Sequence, residues 1–142
     1  MRLKKSNHAV YKTQYHIVWV TKYRLRILNP GFAAHVKQLL FKAAESIPAV
    51  EIEEVNVQKE HVHMLAIIPP RYSVSEIVGK LKGVTLLYMR RYYKWLRRRY
   101  EKEEALWSPG YFVSTVGIDE VIIKKYVKYQ QSLDSGQATL DL

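Results

Sequence analysis

The sequence contains no cysteine. Disulfides and thiolate zinc sites are therefore excluded, and the composition fits the reducing conditions of a cytoplasmic protein. No apolar run approaches the ~18 residues of a membrane-spanning helix. The basic stretch from Met1 to Thr13 has no apolar segment behind it, so it is not read as a secretory signal. Internal repeats and low-complexity blocks are lacking as well. Acid is in short supply: 13 Asp and Glu stand against 23 Lys and Arg, a net charge of +10. Such a surplus attracts polyanions, with nucleic acid the first suspect and membrane surfaces the second.

What is present suits one soluble domain with a real core: 142 residues, 48% of them hydrophobic. The single domain is expected to span 1–142, with a basic arm over 1–13 and a flexible tail over 132–142. Residues 14–21, QYHIVWVT, are β-branched and aromatic and predict a strand. After the Asn29-Pro30-Gly31 turn, Phe32, Val36, Leu39, Leu40, Ala43 and Ile47 recur at helical spacing up to Pro48. Residues 50–57, VEIEEVNV, alternate apolar and polar, and a slip in that alternation predicts a bulge. Gln58-Lys59-Glu60 turns the chain into the strand HVHMLAII, which Pro69-Pro70 stops.

Ser73 and Glu76 stand at capping-box spacing before a long helix carrying Ile77, Leu81, Val84, Leu87 and Tyr88. That helix is expected to run on into the basic stretch 89–102. Residues 111–116 predict a fourth strand, ended by Gly117. A last helix follows over 119–131, with Asp119 as N-cap. The order βαββαβ predicts an α+β ferredoxin-like sandwich with an added C-terminal helix. Its four-stranded antiparallel sheet carries two helices on one face and places the His-Val-His strand inside.

On a strand, His61 and His63 share a face, roughly 6.5–7 Å apart along it, while Val62 points to the core. Two imidazoles so placed can hold one divalent metal. Taken alone, the pair reads as two surface histidines beside a turn, since short motifs recur by chance. The other histidines, His8, His16 and His35, stand in no strong pairing pattern. An oxygen ligand would favour a harder ion such as magnesium or manganese. On the last helix Tyr126 and Gln130 are four apart and share a face. Glutamine offers a carbonyl ligand and tyrosine a phenol nucleophile, among Lys124, Lys125 and Lys128. Tyr126 also sits in an apolar stripe with Ile118, Ile122 and Tyr129, which would make it a packing residue.

The third feature is basic and aromatic. Arg90, Arg91, Lys94, Arg97, Arg98, Arg99 and Lys102 face one acid, Glu101, between residues 90 and 102. Tyr92, Tyr93, Trp95 and Tyr100 are interleaved. Cationic side chains grip phosphates and rings stack on unpaired bases, although some of these rings are needed for the core.

Taken in order, Tyr15 to Arg24, Glu60 to Leu65, Leu106 to Val113 and Tyr126 to Gln130 resemble the single-tyrosine HUH transposases of the TnpA type, from the IS two-hundred group of insertion sequences. The resemblance runs from about Tyr15 to Gln130, nearly the whole chain. It implies metal-dependent cleavage and rejoining of single-stranded DNA at insertion-sequence ends through a 5′-phosphotyrosine intermediate. His61, His63 and Gln130 fall on the family's ligands for Mg²⁺ or Mn²⁺, and Tyr126 falls on its nucleophile. The resemblance also implies recognition of end hairpins, and a homodimer whose active sites are completed in trans. One departure is Glu60, where the family pattern has aspartate. Tyr129 and Gln131 leave a neighbouring tyrosine–glutamine choice open. A non-catalytic, RRM-like binding module derived from such a transposase is the alternative. The aromatic sheet motif of an RRM is missing from the sequence. A replication or mobilisation nuclease is expected to need a longer chain.

Overall fold

The computed structural model describes residues 3–100, 105–115 and 119–136. A two-residue pair, β1 (Lys4–Lys5) and β2 (Val10–Tyr11), lies ahead of the main sheet. The stretch read as a basic arm thus contains a small hairpin, and Lys4 pairs with Glu51 at 2.8 Å. The main sheet is built from β3 (Gln14–Val20), β4 (Glu51–Val57), β5 (His61–Ile67) and β6 (Phe112–Ser114). Its order is β4-β5-β3-β6, every neighbour antiparallel. This is the split βαβ order expected from the sequence, with the His-Val-His strand inside. The bulge expected in β4 falls between Ile52 and Glu54.

Alternation sorts the two inner strands. Ile17, Trp19, Val62 and Met64 share one core with α1 (Pro30–Glu45) and α2 (Val74–Tyr92). Trp19, Val62 and Met64 are fully buried there. Ser73 caps α2 by accepting from the Glu76 backbone N–H at 3.0 Å, as the spacing predicts. The opposite face offers Val18 and Val20, and α4 (Glu120–Asp134) closes over them with Ile123, Tyr126 and Val127. Asp119 caps α4 through the Ile122 N–H at 3.0 Å. The helix runs three residues past the expected end at 131. Val116, Gly117 and Ile118 lie outside the described residues.

One expectation needs correction. The basic stretch does not continue α2; the helix ends at Tyr93, whose φ −116° and ψ 94° are extended, and α3 (Lys94–Arg99) starts afresh. The reason is aromatic packing: the Tyr93 and Trp95 rings sit 4.9 and 5.3 Å from Phe32 of α1. A straight helix would carry its rings past this contact at 100° per residue. The break also buries Leu96 and Tyr100. No described helix is long and apolar enough to cross a membrane.

Candidate active site

The sheet register builds the site. Val18 faces His63 across the β3–β5 pair, and Val20 faces His61. Asn56 faces His63 from β4. Both imidazoles are half-buried, on the face that α4 roofs. Between them lies a cleft of about 360 Å³, whose walls include Glu60, His61, His63, Glu120, Lys124 and Lys128. His61 Nδ1 lies 2.8 Å from Glu60 Oε1. A carboxylate accepts, so Nδ1 donates there and Nε2 is the ring nitrogen left to meet a metal. Glutamate at this position thus does hold the first histidine. His63 Nε2 lies 3.3 Å from His16 Nδ1. Burial, then the neighbouring His16 and His61, hold the His63 imidazole below its ordinary value, which favours the neutral, ligating form. Two imidazoles beside a carboxylate fit a divalent cation. Among the described residues, no three His, Cys, Asp or Glu side chains converge to hold a metal by themselves.

The second half of the site is on α4. The Tyr126 hydroxyl donates to Gln130 Oε1 at 3.2 Å. Gln131 is occupied elsewhere, accepting from Arg24 Nη1 at 3.0 Å. Both Tyr126 and Gln130 are buried on the flank of α4 nearest β6, not on the flank that walls the cleft. The Tyr126 ring is 5.9 Å from Phe112, and a Cβ on Gly110 would stand 3.6 Å from Gln130 Oε1. Burial, then the Asp134 carboxylate, pushes the Tyr126 phenol far above its ordinary value. The packing and the chemical readings of Tyr126 therefore describe the same side chain. In this arrangement it is protonated and buried, and it does not line the cleft that the histidines wall.

A scaffold that the sequence did not reveal holds α4 in place. The Ser108 hydroxyl donates to Asp134, with both carboxylate oxygens within 2.7 Å. The Tyr23 N–H donates to Asp134 Oδ2 at 3.0 Å. Tyr23 and Arg24 adopt left-handed φ of 59° and 56°, which side-chain-bearing residues rarely do. The end of α4 is what pins that turn. Across the loop, Lys82 donates to the carbonyls of Ser108 and Gly110 at 2.8 and 2.9 Å. Burial lowers Lys82 to about 8, against the pull of Asp134. Trp107 braces the same loop by donating from Nε1 to Thr85 Oγ1 at 2.8 Å. Lysine on a helix otherwise reads as surface charge, so no local signal marks Lys82.

The basic residues divide. Arg91, Lys94, Arg97, Arg98, Lys124 and Lys125 are exposed, while Arg90 is half-buried with a buried Nη1 that meets no hydrogen-bond partner among the described residues. Arg90, Arg91 and Arg97 line an open groove at the end of α2. Tyr88 and Tyr92 are exposed beside it, whereas Tyr93, Trp95 and Tyr100 serve the core.

Known proteins share this architecture. The family model "Transposase IS200 like" matches residues 9–130. The transposase for insertion sequence element IS200 of Salmonella typhimurium is 35% identical over 127 residues, 89% of this chain and 82% of that protein. The ISDra2 transposase TnpA of Deinococcus radiodurans is 30% identical over 131 residues, 92% of each chain. A crystal structure of a Deinococcus radiodurans transposase superposes with a TM-score of 0.73 at 28% identity, over 96% of this chain and 99% of that one. A REP-associated tyrosine transposase bound to a REP hairpin shares the fold at a TM-score of 0.52 and 14% identity, over 95% and 76%. The fold and the family matches define a transposase, an enzyme that processes DNA. The chain belongs to the IS200-like transposase family.

Proposed function

We propose that this transposase cuts and rejoins single-stranded DNA at insertion-sequence ends, with Tyr126 as nucleophile and His61, His63 and Gln130 as ligands of Mg²⁺ or Mn²⁺. The observation that carries the reading is one helix holding Tyr126 hydrogen-bonded to Gln130 while it roofs a cleft walled by both histidines. The Tyr126 phenol gives up its proton as its oxygen attacks the scissile phosphorus and forms a tyrosyl phosphodiester to the 5′ side, so that one proton passes in net from the phenol to the leaving oxygen. The bond to the 3′ oxygen breaks, and that oxygen takes up a proton and leaves as a hydroxyl. Reversal by a 3′-hydroxyl reseals a strand with no nucleotide cofactor, because the ester keeps the bond energy. The bound divalent ion would supply charge neutralisation at the phosphate oxygens.

Placement of Tyr126 and Gln130 off the cleft supports a homodimer in which the helix of one copy serves the histidines of another. Arg90, Arg91, Lys94, Arg97, Arg98, Lys124 and Lys125 are proposed DNA contacts, and the hairpin-bound relative supports end hairpins as part of the substrate. A non-catalytic RRM-like module is disfavoured, because α4 covers a sheet face that such a module keeps open for stacking bases. Incubation with end-derived single-stranded DNA and Mn²⁺ should give a covalent protein–DNA adduct, lost in Tyr126→Phe and retained in Tyr129→Phe. An adduct that survives Tyr126→Phe and disappears in Tyr129→Phe would move the nucleophile to Tyr129.

A further inference from the structure

His16 has no part in the site proposed above, yet its ring touches the second histidine. It stands on β3, two residues before Val18, which faces His63 across the sheet. The two rings are 5.5 Å apart between centroids and tilted by 32°, with His16 Nδ1 and His63 Nε2 at 3.3 Å. A hydrogen bond between two imidazoles needs one N–H and one lone pair. His61 is fixed differently: its Nδ1, not its Nε2, meets a partner, Glu60 Oε1 at 2.8 Å. Each histidine of the pair thus has one ring nitrogen committed to a neighbour, and not the same nitrogen.

We propose that His16 is the positioning residue of His63: it accepts from His63 Nε2–H, fixes that tautomer, and leaves His63 Nδ1 as the ligating nitrogen. The two histidines then present opposite tautomers, Nε2 bare on His61 and Nδ1 bare on His63. A ligating imidazole is ordinarily held by such a partner on its other nitrogen, and here an imidazole takes the place a carboxylate takes for His61. The arrangement gives His16 a polar partner, while the next two positions on its face, Val18 and Val20, are buried and apolar. The ligand role of His63 rests on the proposed function; the tautomer does not.

Two measurements separate the two claims. Long-range ¹H–¹⁵N spectra of the metal-free protein read the tautomers directly. They should show a protonated Nε2 on His63 and a protonated Nδ1 on His61. His16→Phe should turn His63 to a mixture, and His16→Asn, whose amide can stand near the place of Nδ1, should restore the wild-type pattern. A folded His16→Phe protein with an unchanged His63 pattern would overturn the assignment. Should His16→Phe fail to fold, a His63 protonated on Nδ1 in the wild type would overturn it equally. Mn²⁺ titration then follows line broadening of the histidine signals. Broadening of His61 and His63 should require about 10- to 100-fold more Mn²⁺ in His16→Phe than in wild type, with recovery in His16→Asn. Equal midpoints in His16→Phe and wild type would sink the positioning role. If Mn²⁺ broadens neither histidine in the wild type, the metal-site reading fails, and the metal-free spectra still decide the tautomer.

Discussion

The two faces of one sheet are built on opposite principles. Toward α1 and α2, β5 presents Val62 and Met64, fully buried and without polar atoms to satisfy. Toward α4, the same strand presents His61 and His63, half-buried, each held by a hydrogen bond. The first face gains from removing apolar surface from water. The second keeps a cleft open among Glu60, Glu120, Lys124 and Lys128, and its apolar cluster is confined to Val18, Val20 and a few residues of α4 and β6. Alternation along seven residues therefore separates a closed apolar core from an open polar cleft. The docking of α4 draws both on that apolar cluster and on Asp134, with its hydrogen bonds to Ser108 and Tyr23.

Mutation of adjacent positions of β5 separates the two faces most sharply. Met64→Ala should cost about 2–5 kcal/mol in urea unfolding, since it leaves a cavity in a closed core. His63→Ala should cost about 1 kcal/mol or less and abolish Mn²⁺-dependent broadening at the site. Equal destabilisation by the two would show that the histidine face is core as well. The basic groove gives a smaller effect. Replacing Arg91 and Arg97 with alanine should weaken binding to single-stranded DNA and flatten its salt dependence, by about 0.7 in log–log slope for each phosphate no longer neutralised. An unchanged slope would assign those arginines to solvent.

Smaller still is the cap of α2. Ser73→Ala should lower stability by about 1 kcal/mol without altering DNA cleavage, because the hydroxyl holds the Glu76 N–H far from the cleft. Loss of cleavage at full stability would tie the cap to function. Lys82 gives the finest test. Burial holds its ammonium at about 8 against an ordinary 10.5, so between those values the folded state binds fewer protons than the unfolded one. Relative to Lys82→Met, the wild type should gain stability as pH rises through that window and lose it as pH falls through about 8. A stability difference that is flat with pH would mean that the lysine is not buried as described.

Much of the fold was legible because its signals are local. The alternation of β4, the Ser73 cap and the proline stop after β5 each act within a few residues. The break at Tyr93 was not legible, because it depends on Phe32, sixty-one positions away in sequence, meeting Tyr93 and Trp95. The same holds for the site. His61 and His63 announce themselves through strand period, and Tyr126 with Gln130 through helix period. His16 and Lys82 act only across the fold, on His63 and on the Ser108–Gly110 loop, so spacing carried no trace of them. The helix periodicity also paired Tyr126 with Gln130 but left their flank open, and the structure turns both toward Gly110 and Phe112.

In the proposed function, the histidine face and the Tyr126 helix form one catalytic site by meeting across two copies of the chain. Mixing His63→Ala protein with Tyr126→Phe protein tests it most directly, with labelled end-derived single-stranded DNA and Mn²⁺ as the probe. Each variant alone should give no adduct. The mixture should regain adduct, and only on the His63→Ala chain, which still has its tyrosine. A mixture as inactive as its components, beside an active wild type, would contradict the account and place both halves of the site within one chain.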